Sequence, residues 1–168
     1  PAPDRKIRIG YVSGDLRHHS ASKVFGVVLM KHDQSQFDVA AYATLSSTDW
    51  LTDTLKSAVP HWRDASAWSN ERLYEQIRAD EIDILVDLSG HSAGNRLPVF
   101  ARKPAPVQVT AWGYITGTGL DAMDYMFADE DTVRLDEHQW YSEEIVYLPR
   151  IVSYWATDPS VVGQVGPL

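Results

Sequence analysis

Cysteine is absent from all 168 residues, which excludes a disulfide framework, a thiolate nucleophile and any cysteine-ligated metal. No apolar run approaches the roughly 18 residues that a membrane span needs, and no basic segment leads into an apolar one. Neither a membrane partner nor a targeting leader is expected, and the expected location is cytoplasmic, a setting compatible with the missing thiols. Basic charge is scarce as well: 15 Lys and Arg against 23 Asp and Glu leave a formal net charge of −8. Phosphate backbones are bound by clustered Lys and Arg, so nucleic acid is not expected as a partner. Two phosphate-binding patterns are missing too, the G-x-G-x-x-G of dinucleotide folds and the G-x-x-x-x-G-K-[ST] of P-loops.

What is present is a chain 44% hydrophobic and 23% charged, the balance of one soluble core. Six Trp and eight Tyr are many for this length. Some are expected at a cleft or interface, while each taken singly reads equally as a core residue. The chain opens Pro1-Ala2-Pro3 without a methionine, which reads as a piece of a longer or processed polypeptide.

The stretch around which the rest is organised is IRIGYVSGDLRHHSAS, residues 7–22. It runs from a β-branched strand (Ile7, Ile9, Val12) through the small, polar Ser13-Gly14-Asp15 into a basic, His-bearing segment and then a helix over residues 20–31, with Ser20 or Ser22 as its cap. Alternation predicts a second strand over 37–44, a short helix over 50–58 and a brief third strand at 60–63. A helix starts at Ser69 or Asn70 and buries Leu73, Tyr74 and Ile77. IDILVDL, residues 82–88, is a strand apolar enough to be covered on both faces. Residues 96–102 read as helical until Lys103-Pro104-Ala105-Pro106 stops them; strands follow at 107–111, 125–128 and 145–148, the last two separated by an acidic helical piece. This alternation implies a parallel α/β sheet, Rossmann-like, with helices on both faces.

Loops 13–19, 89–95 and 112–119 each follow a strand, so in a parallel sheet they share one edge and converge on one cleft. His19, at the loop-to-helix junction, is a donor or proton shuttle, or else a capping or surface histidine. Asp15 orients an imidazole or takes a proton, or else serves as an Asx-type cap. His91 with Asp87, Asp15 and His19 would be needed for a metal site, but strand-to-loop spacing does not fix ligand geometry. Arg96, Arg102 and Lys103 attract a phosphate or form a solvated face. Trp112 and Tyr114, beside Gly113, stack on a sugar or base or fill the core under the loop.

Several segments taken together, RIGYVSGDLRHHS, IDILVDLSGHSAGNRLPVFARKPAPVQV, WGYITGTGL, MDY and YSEEIVYLP, resemble in order and spacing the amino-terminal catalytic lobe of the O-linked N-acetylglucosamine transferase and SPINDLY-like family. The resemblance implies one lobe of a GT-B glycosyltransferase over residues 1–158, with 159–168 as a tail or the start of a linker. It also implies tetratricopeptide repeats before this lobe and a second, carboxyl-terminal lobe after it, so the chain alone is expected to be inactive. The implied activity is inverting transfer of a sugar from a nucleoside diphosphate sugar to Ser or Thr of an acceptor protein, with no cofactor and no metal. By this resemblance Asp15 and His19 are catalytic; His18, Ser20, Ala21, Trp112 and Gly113 bind the donor; His91 and Ser92 lie near the acceptor. His19-Ser20-Ala21 stands where the animal members have H-P-T, and Ile115 takes the place of a proline in the W-G-Y loop. Both UDP-N-acetylglucosamine, the favoured donor, and the GDP-fucose used by related members therefore stay open, beside a non-catalytic regulatory module.

Overall fold

The computed structural model describes residues 5–149. The boundary expected near residue 158 and the tail beyond it lie outside the described residues. In chain order the elements are β1 (Ile7–Ser13), α1 (Ser22–Lys31), β2 (Phe37–Ala43), α2 (Trp50–Ala58), β3 (His61–Asp64), α3 (Asn70–Ala79), β4 (Ile84–Asp87), α4 (Leu97–Phe100), β5 (Val107–Thr110), β6 (Tyr125–Ala128), a 3₁₀ turn (His138–Trp140) and β7 (Glu144–Tyr147). The seven strands form one sheet in the order β3-β2-β1-β4-β5-β6-β7, and every pairing is parallel.

The period-2 alternation of each strand divides the core in two. Ile9, Tyr11, Val39, Ala41, Val86 and Val109 face one side with Phe25 and Leu29 of α1 and Leu51 and Leu55 of α2. Val12, Ala40, Tyr42 and Leu85 face the other with Leu73 and Ile77 of α3 and Val99 and Phe100 of α4. Helices on both faces follow directly, as does the near-continuous apolar character of β4. The sequence of neighbours reverses between β1 and β4, and at such a switch point the loops leaving the two strands splay apart and open a crevice.

Three expectations are corrected. Neither Ser20 nor Ser22 caps α1: the capping position is Ala21, without a side-chain bond, because the Ser22 hydroxyl is turned back onto the incoming loop. The helix after β4 is only Leu97–Phe100, since Lys103 takes a left-handed backbone, φ 54°, ahead of Pro104. The acidic helix expected before β7 is reduced to the turn His138–Trp140. That segment lacks an apolar stripe: Val133 is buried, whereas Leu135 is 59% and Trp140 80% exposed. Among the described residues no helix is long and apolar enough to cross a membrane.

The amino-terminal edge of the sheet is locked by ion pairs. Arg5 makes two hydrogen bonds to Asp83, at 2.7 and 2.6 Å, and the Arg8 amide donates to the same carboxylate. Arg5 is the main cause that holds Asp83 below the usual carboxylate range. Burial pushes Asp80 up, but donors on Arg63, Tyr42 and Gln76 together outweigh it and leave its pKa lowered. A carboxyl whose folded pKa is depressed contributes stability that is complete above its unfolded value and lost as pH falls through the folded one. The urea midpoint is therefore expected to drop between about pH 5 and pH 2, and Asp83→Asn to make that drop shallower. Identical slopes for variant and wild type would remove Asp83 from this explanation.

Candidate active site

The loop after β1 is held from within. Leu16 is fully buried in the core, the Ser13 hydroxyl accepts the Asp15 amide at 2.9 Å, and Ser22 closes the other end. The Ser22 Oγ accepts from the His19 amide at 3.1 Å and has the carbonyls of Arg17 and His19 as acceptors for its own proton. His19 Nδ1 accepts the Ala21 amide at 3.3 Å, so in the neutral ring the proton sits on Nε2. Ser22→Ala is expected to cost about 1–3 kcal/mol by leaving the partly buried His19 amide unpaired. Urea unfolding measures it, and a loss below about half a kcal/mol would mean that the hydroxyl does not hold the loop.

Three further loops meet this one. The Gly14 amide donates to Ser89 Oγ at 3.3 Å, joining the loops after β1 and β4. His91 Nε2 donates to the Thr118 carbonyl at 3.1 Å, and its ring lies edge-on to Tyr114 with centroids 5.7 Å apart, joining the loops after β4 and β5. The His18 amide donates to Asp49 Oδ2 at 2.7 Å, and its ring stands 5.6 Å from that of Trp50, which brings in the loop after β2. The convergence expected for loops 13–19, 89–95 and 112–119 is thus present, with a fourth loop added.

The W-G-Y loop leaves β5 through a strained turn. The Gly113 amide donates to the Ala111 carbonyl at 2.6 Å across Trp112, which sits at φ 51°; a γ-turn of this hand is rare and unfavourable for a side-chain-bearing residue. The Trp112 indole packs on Phe127 at 5.5 Å between centroids. Of the two readings of Trp112 the ring takes the core one, and the ring of Tyr114 lies against Gly90 and His91. Further along, Glu143 is buried and its Oε1 accepts from the Thr118 amide, 2.6 Å, and hydroxyl, 2.5 Å.

Asp15, His19, Ser20 and Ala21 therefore stand together on one side of the switch point, with His91 and Ser92 across it and Gly113 beside them. His18 and His91 are exposed, and His19 and Ser92 partly so. Asp87 does not join them. It is buried, it accepts from the amides of Ser89 and Gly90 and the hydroxyl of Thr110, and burial pushes its pKa up. It shapes the loop after β4, and among the described residues no three His, Asp or Glu side chains come together as metal ligands. The three basic candidates are used elsewhere: Arg96 on Asn70, Arg102 on Glu71, Lys103 on Asp124. A groove of about 1020 Å³ lies at the opposite edge against Ile7, Ile84 and Val107, where the strands begin.

Asp49 and Glu143 are the site-building residues that sequence reasoning missed. Asp49 caps α2 through the amides of Leu51 and Thr52 while holding the His18 amide. Burial alone would raise its pKa, and those three amides keep it lowered. The pattern Asp49-x-x-Thr52, a capping box, is the sequence feature that marks it.

The glycosyl transferase family 41 model matches residues 1–159. A probable UDP-N-acetylglucosamine–peptide N-acetylglucosaminyltransferase SPINDLY of Arabidopsis thaliana is 35% identical over 170 residues, 99% of this chain and 18% of that protein. The corresponding SEC protein of the same plant is 36% identical over 147 residues, covering 86% and 15% respectively. Among solved structures, a mutant of Thermobaculum terrenum O-GlcNAc transferase is similar at a TM-score of 0.83 and 42% identity, over 88% of this chain and 28% of that one. The chain thus spans less than a fifth of the length of these curated relatives.

Proposed function

Because this chain belongs to glycosyl transferase family 41, we propose that it is the amino-terminal lobe of a two-lobed, GT-B protein O-glycosyltransferase. In this reading residues 1–158 make one wall of a nucleotide-sugar cleft and residues 159–168 lead toward a carboxyl-terminal lobe supplying the other. The observation that carries it is the meeting of the loops after β1, β4 and β5 at the switch point, through Gly14 with Ser89 and His91 with Thr118. Nucleotides bind at such a place because strand ends and helix amino termini there present unpaired N–H groups.

The reaction forms a bond between an acceptor Ser or Thr oxygen and the sugar's anomeric carbon. The bond from that carbon to the diphosphate breaks, and configuration inverts. Catalysis then requires an aligned hydroxyl and donors aimed at the charge growing on the leaving diphosphate. His19 supplies Nε2–H, and Ser20 and Ala21 lie at the uncapped start of α1, whose dipole favours negative charge. Asp15 orients, His18 and the Trp112-Gly113 backbone line the donor side, and His91 and Ser92 face the acceptor protein. The nucleotide sugar is a substrate, UDP-N-acetylglucosamine favoured over GDP-fucose, and neither cofactor nor metal is required. The setting is cytoplasmic, and tetratricopeptide repeats ahead of the lobe would present the acceptor.

The test is transfer by the longer polypeptide containing both lobes, with an acceptor protein and either labelled donor. Labelling from one donor, lost in His19→Ala, is expected. Wild type and variant both leaving the acceptor unlabelled with both donors would sink the enzyme reading in favour of a non-catalytic module.

A further inference from the structure

Asp15 stands between two partners and is bonded to neither. Its Oδ1 lies 3.8 Å from the Arg17 guanidinium and its Oδ2 3.8 Å from His19 Nδ1, beyond hydrogen-bond reach in both directions. The carboxylate side chain is only 18% exposed, yet among the described residues none donates a hydrogen bond to it. Withdrawn from most of the solvent, such a group is drawn to whichever partner offers a donor. Arg17 is similarly unsettled. Its backbone is fixed by buried Leu16 and by Ser22 Oγ on its carbonyl, while its Nε is buried without a partner.

His19 has two ways to be neutral, and Asp15 decides between them. At present Nδ1 accepts the Ala21 amide, so Nε2 carries the proton and is a donor. Were Asp15 to close on Nδ1, that nitrogen would have to donate. The ring proton would move by way of solvent from Nε2 to Nδ1, the Ala21 amide would lose its acceptor, and Nε2 would become an acceptor. The remaining charged groups nearby do not compete for the ring. His18 and Lys23 flank it along the chain, and Asp49 from the start of α2 is engaged by the His18 amide.

We propose that Arg17 is a positioning residue: its guanidinium holds the Asp15 carboxylate away from His19 and so keeps Nε2–H as a donor toward the cleft. The value of that donor to catalysis rests on the transferase reading above; the arrangement itself does not.

The experiment uses this chain with ¹⁵N-labelled histidine. Long-range ¹H–¹⁵N spectra identify the nitrogen bearing the proton in the neutral ring. Wild type is expected to carry the proton on Nε2. Arg17→Met moves it to Nδ1. Arg17→Lys restores the wild-type spectrum, which also shows that position 17 can be changed in a folded chain. Adding Asp15→Asn to Arg17→Met returns the proton to Nε2. An Arg17→Met spectrum like wild type, or a change that survives Asp15→Asn, overturns the proposal. Either result leaves the transfer assay with both donors unaffected, so the two readings fail separately.

Discussion

Replacing Gly113 by alanine is expected to lower stability by about 4 kcal/mol or more, a loss reached by few single substitutions. A Cβ at this position would lie 1.5 Å from the Leu88 carbonyl oxygen and 2.3 Å from its carbon. Those atoms belong to the backbone leaving β4, so no rotamer change relieves the overlap. Relief would need the loops after β4 and β5 to separate, and with them His91 from Thr118. Gly94→Ala is the control. Its φ of 78° carries strain, but an added Cβ meets nothing within 4 Å, so a loss of only about 1–2 kcal/mol is expected. Urea midpoints of the two variants measure the difference, and a Gly113→Ala loss no larger than that of Gly94→Ala would show that the two loops are not locked together.

His19→Ala carries the second large effect, on chemistry rather than on folding. His19 is partly exposed and its ring makes one hydrogen bond, to the Ala21 amide, so its truncation should move the urea midpoint little. On the transferase reading proposed above, His19→Ala in the longer polypeptide removes a donor to the leaving diphosphate and is expected to lower kcat about 10²–10³-fold. KM for the nucleotide sugar should change far less, because the interaction strengthens as charge develops. A variant that keeps kcat within threefold of wild type would remove His19 from the reaction.

The strands and the three loops could be read from the chain because each buried strand is an apolar run ending abruptly in small polar residues, as IDILVDL does before Ser89-Gly90-His91. The start of α1 could not. Ser22 has the residue type of a cap, and only the folded loop shows its hydroxyl turned toward Arg17 and His19. Strand order is equally invisible in a linear pattern, so the reversal between β1 and β4 that makes the crevice had to come from the structure. Asp49 was hidden for a related reason: the bond from the His18 amide joins residues 31 positions apart. The segment from Lys103 to Gln108, conspicuous as letters, turns out to brace the fold. The Gln108 side chain donates to the carbonyls of Phe100 and Ala122.

Hydrogen–deuterium exchange of the longer polypeptide with and without saturating nucleotide sugar puts the arrangement at issue directly. Three turns that make one wall of the donor site should gain protection together, over residues 13–22, 89–95 and 112–119, and the groove at Ile7, Ile84 and Val107 should be unchanged. Protection confined to that opposite groove, or to one of the three turns alone, would contradict it.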